Sequence, residues 1–260
     1  MPRSTATAPG FRQSWRRTMA ELGLVVVALG VVWLAGQSCV GWVAEGAVRG
    51  LPASVDAAVG KAGADSTRAR SQTGTEVDPR QRQRAERLFD ELRGGLTDEE
   101  ASLLATPRIT VIADETVNAF ALPGGEVFVQ TGLLERVGDD DGMLRGVLAH
   151  ELGHAVRRHG VRTLARQAAT SLVVAWLLGD ADEMTATLAA GASELGRLSY
   201  SREMETEADR YAVALLRRLG HDAEGLARFL ESLETAPVPE LLSTHPASSE
   251  RAQAVRETLK

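Results

Sequence analysis

The sequence predicts an α+β fold that is mostly helical, with a small sheet preceding the long helices and one N-terminal transmembrane helix. Three observations predict it. β-Branched residues alternate over 108–112 and 126–130, the two-residue period of strands. After Thr131 the chain follows helical spacing, with no repeat and no low-complexity tract. Near the start, Leu22 to Gly36 is free of charge, and the apolar character resumes through Cys39, Val40, Trp42, Val43 and Ala44.

A chain of 260 residues is long enough to bury one full core beside its appendages. The formal net charge of -6, with no basic run beyond the N-terminus, argues against a nucleic-acid partner. Cys39 is the single cysteine, so a metal must be held by imidazole and carboxylate groups.

Taken in order, residues 1–20 carry Arg3, Arg12, Arg16 and Arg17 with no acid before Glu21, which marks a cytoplasmic segment. Residues 21–45 are long enough to span a hydrocarbon core of about 30 Å, and Trp33 and Trp42 suit the far interface. The positive-inside rule then sends the rest of the chain to the periplasmic or extracytoplasmic side. A cleaved signal peptide is the competing expectation, but no clear A-x-A site follows. Gln37 makes Gly36 to Ser38 a poor lipoprotein box before Cys39. Residues 46–80 are rich in Ala, Gly, Ser, Thr and Asp and predict a flexible tether. Gln81 to Leu96 sets Ala85, Leu88, Phe89 and Leu92 at helical spacing and opens a globular domain over 81–260. Ala168 to Leu178 is apolar but too short to cross a membrane, and reads as a packed helix.

Asp139, Asp140 and Asp141 begin a further helix, and Arg157, Arg158, His159 and Gly160 close it, in keeping with the helix dipole. Inside it stands His150-Glu151-Leu152-Gly153-His154. Residues four apart share a helix face, so the two imidazoles converge, and Glu151 can reach a water on a shared Zn²⁺ without binding the ion itself. Arg157 and Gly160 stand where the metzincin extension has Gly and His, which excludes that class. His159 is one position out of step and reads as a cap of the helix end, with a metal role as the lesser alternative. Ser201 to Asp209 forms a second, acidic helix on which Glu205 and Asp209 share a face. A carboxylate from this helix would complete a His, His, Glu site. Spacing alone does not choose Glu205 over Glu203 or Glu207.

Four segments together resemble the membrane-associated zinc metallopeptidases that include CAAX prenyl proteases, the heat-shock protease HtpX, and mitochondrial and periplasmic quality-control peptidases. They are NAFALPGGEVFVQTGLL from Asn118, the HELGH helix, SREMETEAD from Ser201, and STHPASSER from Ser243. The resemblance covers about residue 105 to the end and is nearest to the compact quality-control members. It implies a zincin-like domain with Zn²⁺ held by His150, His154 and Glu205, and Asp209 orienting a ligand imidazole. It also implies that His245 faces the site, to stabilise a tetrahedral intermediate or to regulate access. Ala247 stands where the family usually has a second proline. His221, before Asp222, has no such role.

These residues imply an endopeptidase in which Glu151 takes a proton from the attacking water and returns it to the leaving amine. Unfolded or misfolded envelope proteins are the expected substrates. The strand carrying Glu126, Val127, Phe128 and Val129 is the expected place for an extended substrate to add. Two rival expectations are a membrane-tethered chaperone or adaptor with structural zinc, and a latent protease blocked by His245 or by the 168–178 segment. Glu151 beside the first histidine favours the enzyme, because a structural zinc site needs no base.

Overall fold

The structure, a computed structural model, describes residues 44–71, 77–105, 107–178, 198–235, 239–245 and 249–258, with Met19 and Gly41. The elements in order are α1 (Ala53–Arg70), α2 (Pro79–Gly94), α3 (Asp98–Leu103), β1 (Arg108–Ile112), β2 (Ala119–Ala121), β3 (Glu126–Gln130) and α4 (Thr131–Val137). They continue with α5 (Asp141–Val156), α6 (His159–Leu178), α7 (Arg202–Arg218), α8 (Glu224–Thr235), α9 (Pro239–Thr244) and α10 (Ser249–Glu257). The predicted α+β class, mostly helical with a small sheet ahead of the HELGH helix, is the observed one. The predicted anchor over 21–45 lies outside the described residues but for Gly41, Ala44 and Glu45. Among the described residues no helix is long and apolar enough to cross a membrane.

α2 follows from its amphipathic pattern. Asp78 caps it by accepting from the Arg80 N–H at 2.9 Å, and Pro79 occupies the first turn, where its missing N–H costs nothing. Ala85, Leu88, Phe89 and Leu92 are all buried, as the spacing predicts. Burying each of the larger three contributes roughly 1.5–3 kcal/mol.

The sheet runs β1-β3-β2. β1 lies parallel to β3 with Arg108 opposite Glu126, and β2 lies antiparallel with Phe120 opposite Phe128. Side chains alternate across it. Ala119, Ala121, Val127 and Val129 face the main core, which draws on α2, α4, α5, α7, α8 and α10. Phe120 and Phe128 stack at 5.3 Å on the opposite face beside Ile112, Ala64, Leu198, Tyr200 and Met204. Gly124 and Gly125, both at positive φ, turn the chain from β2 into β3.

This order corrects the expected substrate strand. Glu126, Val127, Phe128 and Val129 are buried in the central strand, with neighbours on both sides, so β3 offers no free edge for strand addition. Glu126 is instead engaged by Arg108 at 2.7 Å, by the Thr110 hydroxyl at 2.9 Å, and by Arg68. β1 and β2 are the edge strands, and the one beside Glu151 is β2, whose three residues carry too little β-branched signal to be read from sequence.

Residues 46–80, expected as a tether, are also different. Residues 44–50 are helical and α1 is docked on the domain. Arg158 donates to both Asp56 carboxylate oxygens at 3.1 and 2.5 Å, and to the Val48 and Leu51 carbonyls at 2.9 and 3.0 Å. Arg68 at the far end reaches Glu126. Between them Gly60 lies against the Pro123 carbonyl, where an added Cβ would come within 1.7 Å of the oxygen. Small residues and paired charges make this interface, so a search for large apolar residues misses it.

One prediction follows for Gly60→Ala. In an open helix the change stabilises by up to about 1 kcal/mol. Against a backbone carbonyl it is expected to destabilise by about 1–3 kcal/mol and to release α1. Chemical denaturation and hydrogen exchange of residues 53–70 measure this, and a rise in stability would refute the docked arrangement.

Candidate metal centre

α5 and α7 carry the centre, and their ends are fixed by local chemistry. Asp140 caps α5 by accepting from the Met143 N–H at 2.9 Å, while Arg84 and Arg87 hold Asp141 in its first turn. Ser201 caps α7 by accepting from the Met204 N–H at 3.4 Å. Gly153 lets the two helices meet closely, since a Cβ there would stand 3.0 Å from the Ala208 carbonyl oxygen. Across this contact His150 and His154, one turn apart, face Glu205 and Asp209, also one turn apart.

His150 Nε2 and His154 Nε2 are 3.0 Å apart. Glu205 brings Oε2 to 3.5 Å from His150 Nε2 and Oε1 to 3.4 Å from His154 Nε2. A tetrahedral ion with N and O donors at about 2.0–2.1 Å separates them by about 3.3–3.4 Å, and the observed 3.0–3.5 Å lies close to this, with Glu205 turning one oxygen to each ring, so these three residues suit Zn²⁺. His245 joins the group, and one donor atom from each of the four residues lies within 4.8 Å of the others. His245 Nδ1 is 3.1 Å from Glu205 Oε1. Its Nε2 is buried without a hydrogen-bond partner among the described residues and lies 3.6 Å from Glu151 Oε1. An orphaned imidazole nitrogen beside three converging donors suits a cation.

The charges agree. Burial opposes ionisation of Glu205, yet His245 and His150 hold its carboxyl well below the usual carboxylate range. Asp209 is likewise opposed by burial and held low by Arg251 and His150. Burial disfavours charge on His150, but Asp209 and Glu205 push it up to about 10 in the metal-free centre. Burial draws His154 well below its ordinary value. Two fixed carboxylates thus attract positive charge to a point that two imidazoles share.

Glu151 points the same way without being one of these donors. Its Oε2 accepts the Ala121 N–H at 2.9 Å, and burial raises its carboxyl against the pull of His245 and His150. The edge strand and this carboxylate therefore share one wall. Leu122 N–H and the Asn118 carbonyl bond to β3, so the two-residue alternation turns the Ala119 and Ala121 backbone groups to the opposite side.

The structure brings together His150, Glu151, His154, Glu205, Asp209 and His245. Glu203 is exposed, and Glu207 turns to His159 and Arg162. His221 pairs with Glu91 outside the centre. Asp209 Oδ1 stands 2.9 Å from His150 Nδ1.

Arg251 and Tyr200 carry no signal in the sequence, and His159 reads there differently from its place in the structure. Arg251 donates Nε and Nη2 to the two Asp209 oxygens at 2.7 and 2.8 Å, and its Nη1 lies 2.7 Å from Glu205 Oε2. Tyr200 stacks on the His154 ring at 4.1 Å. His159 does not cap α5 but begins α6, buried behind His154 with Nδ1 3.0 Å from His154 Nδ1. Burial, against the pull of Glu207, lowers His159 to about 4. Arg251 lies in the STHPASSER segment, where an arginine after acids and serines has no spacing signature. His159 is out of helical register with His154 and reaches it only because Arg158, at φ 56°, breaks the helix between them.

Comparisons with known proteins agree with this geometry. The model of a family described as Peptidase family M48 matches residues 79–259. Mitochondrial metalloendopeptidase OMA1 of Schizosaccharomyces pombe is 36% identical over 155 residues, 57% of this chain and 45% of that protein. Beta-barrel assembly-enhancing protease of Escherichia coli (strain K12) is 30% identical over 172 residues, covering 60% of this chain and 35% of its own. Metalloprotease YcaL of the same strain is 35% identical over 155 residues, covering 55% and 58% respectively. The match thus spans between about a third and three fifths of these relatives' lengths.

Proposed function

Given that the chain belongs to peptidase family M48, we propose that it is a zinc-dependent endopeptidase acting on unfolded or misfolded envelope proteins. The observation that carries the reading is the trio His150, His154 and Glu205, with donor atoms 3.0–3.5 Å apart, beside a carboxylate that is not one of them. Zn²⁺ held by the trio supplies Lewis acidity toward water and the peptide carbonyl. Glu151 is the general base for the attacking water and then the acid for the leaving amine. Burial raises its carboxyl, which strengthens it as a base. Asp209 holds the His150 ring, and Arg251 holds Asp209.

Substrate enters as an extended chain along β2 in place of β3. The outward N–H of Ala119 and the carbonyls of Ala119 and Ala121 pair with it, while the Ala121 N–H stays on Glu151, bringing a scissile carbonyl past that carboxylate. Pairing through backbone groups is largely blind to side chains, which suits unfolded proteins. Proteolytic and metal-dependent activities stand in the names of the yeast and bacterial relatives. The run Arg3 to Arg17 ahead of the apolar 22–44 stretch supports an anchor with the catalytic domain on the extracytoplasmic side.

A second reading rests on His245. As placed, it stands among the donors where a fourth ligand or a substrate oxygen would lie, carried at the end of α9. The folded site is then a latent one that opens when α9 withdraws. Chelator-sensitive cleavage of an unfolded dye-labelled protein is the expected result for the wild type. His245→Ala is expected to raise basal cleavage in the latent reading. A drop of about 10-fold or more would assign His245 to the reaction itself.

A further inference from the structure

Behind His154 runs a chain of polar groups that the proposed chemistry leaves unused. Nδ1 of His159 is 3.0 Å from Nδ1 of His154, and Nε2 of His159 is 3.1 Å from Glu207 Oε2. Arg162 donates to the same Glu207 oxygen at 2.8 Å and to Glu45 at 2.7 Å, and Arg166 also donates to Glu45 at 2.5 Å. His159 is wholly buried, so no water substitutes for either neighbour.

The direction of each proton follows from what the groups can accept. A carboxylate only accepts, and Glu207 Oε2 already accepts from Arg162 at 2.8 Å, so His159 carries its proton on Nε2. A neutral imidazole then has a lone pair on Nδ1, which accepts the Nδ1–H of His154. That leaves His154 Nε2 bare, facing His150 Nε2 and Glu205. The opposite arrangement would put the proton of His154 on Nε2, where it would block a metal.

We propose that His159, fixed by Glu207, is the positioning residue that holds His154 in the tautomer and orientation a metal requires. This rests on the zinc-site reading above. The two ligand histidines are then supported unequally. His150 meets a carboxylate, Asp209, directly, whereas His154 meets Glu207 through an intervening imidazole. The break at Arg158 brings His159 to His154, and His159 in turn reaches the carboxylate on α7.

The test is the zinc dissociation constant of the full chain, measured by competition with a chromophoric chelator, together with the visible spectrum of the cobalt-substituted protein. His159→Phe keeps an aromatic ring but has no acceptor, and is expected to weaken zinc binding by about 10–100-fold and to alter the cobalt bands. His159→Asn places a carbonyl oxygen near the Nδ1 position and is expected to recover most of that loss. Glu207→Gln, on a half-buried side chain, is expected to weaken binding in the same direction with less risk to folding. The proposal is overturned if Glu207→Gln and His159→Phe both bind zinc as wild type does, or if His159→Asn loses as much as His159→Phe. If His159→Phe does not fold, Asn and Gln decide it by the same criterion. Absence of zinc binding by the wild type would instead overturn the zinc reading itself.

Discussion

Glu151→Gln is expected to lower the rate of cleavage of an unfolded protein by about 10²–10⁴-fold, the range for loss of a general acid–base group, while zinc content stays at the wild-type level. The separation of the two effects comes from geometry. Glu151 is not among the metal-facing donors, so replacing its carboxylate with an amide leaves His150, His154 and Glu205 in place. The Ala121 N–H that donates to Glu151 Oε2 can donate equally to an amide oxygen, so the wall of β2 is kept. What is lost is a base whose carboxyl burial raises. Rates measured with and without a chelator, beside metal content by mass spectrometry, check this. Equal cleavage by the two proteins would remove Glu151 from the reaction, and zinc without cleavage in either would favour the chaperone or latent reading.

Glu205→Ala is expected to have the other large effect, on the metal itself. The loss should exceed the roughly 10–100-fold associated with groups that merely support a ligand, because Glu205 faces both imidazoles at 3.4–3.5 Å. Wild-type protein should melt at a lower temperature when a chelator is added, since a ligand bound only to the folded state stabilises by RT ln(1 + [L]/Kd). Glu205→Ala should melt at the same temperature with and without the chelator. Glu203→Ala, on an exposed side chain of the same helix, is the matched control and should behave as wild type. If the two variants respond alike to the chelator, Glu205 does not hold the metal.

Much of the fold and of the centre is legible in the sequence, because it depends on local periodicity. The spacing of Ala85, Leu88, Phe89 and Leu92 names the buried face of α2, and the i, i+4 pair His150 and His154 must share a helix face whatever surrounds it. The single cysteine leaves only imidazole and carboxylate donors. The resemblance of four segments then chooses Glu205 among three glutamates.

Tertiary structure decided what depends on residues far apart in sequence. β3 reads as the better strand from its own residues, yet pairing with β1 and β2 places it at the centre and leaves β1 and Ala119–Ala121 at the edges. Residues 53–70 read as unable to fold, because composition counts apolar side chains and not the fit of Gly60 to a carbonyl or of Arg158 to Asp56. His159 reads as a helix cap until the turn at Arg158 swings it behind His154, and Arg251 has no reading until α10 brings it to Asp209 and Glu205. From period and residue type alone come the amphipathic helices from Gln81 onward, the shared face of His150 and His154, and the chemistry of the candidate donors. Contacts in three dimensions settle which strands lie at the edges of the sheet, that Arg251 and His159 stand behind the converging donors, and how near His245 comes to Glu205, because each joins segments whose spacing along the chain says nothing of their distance in space.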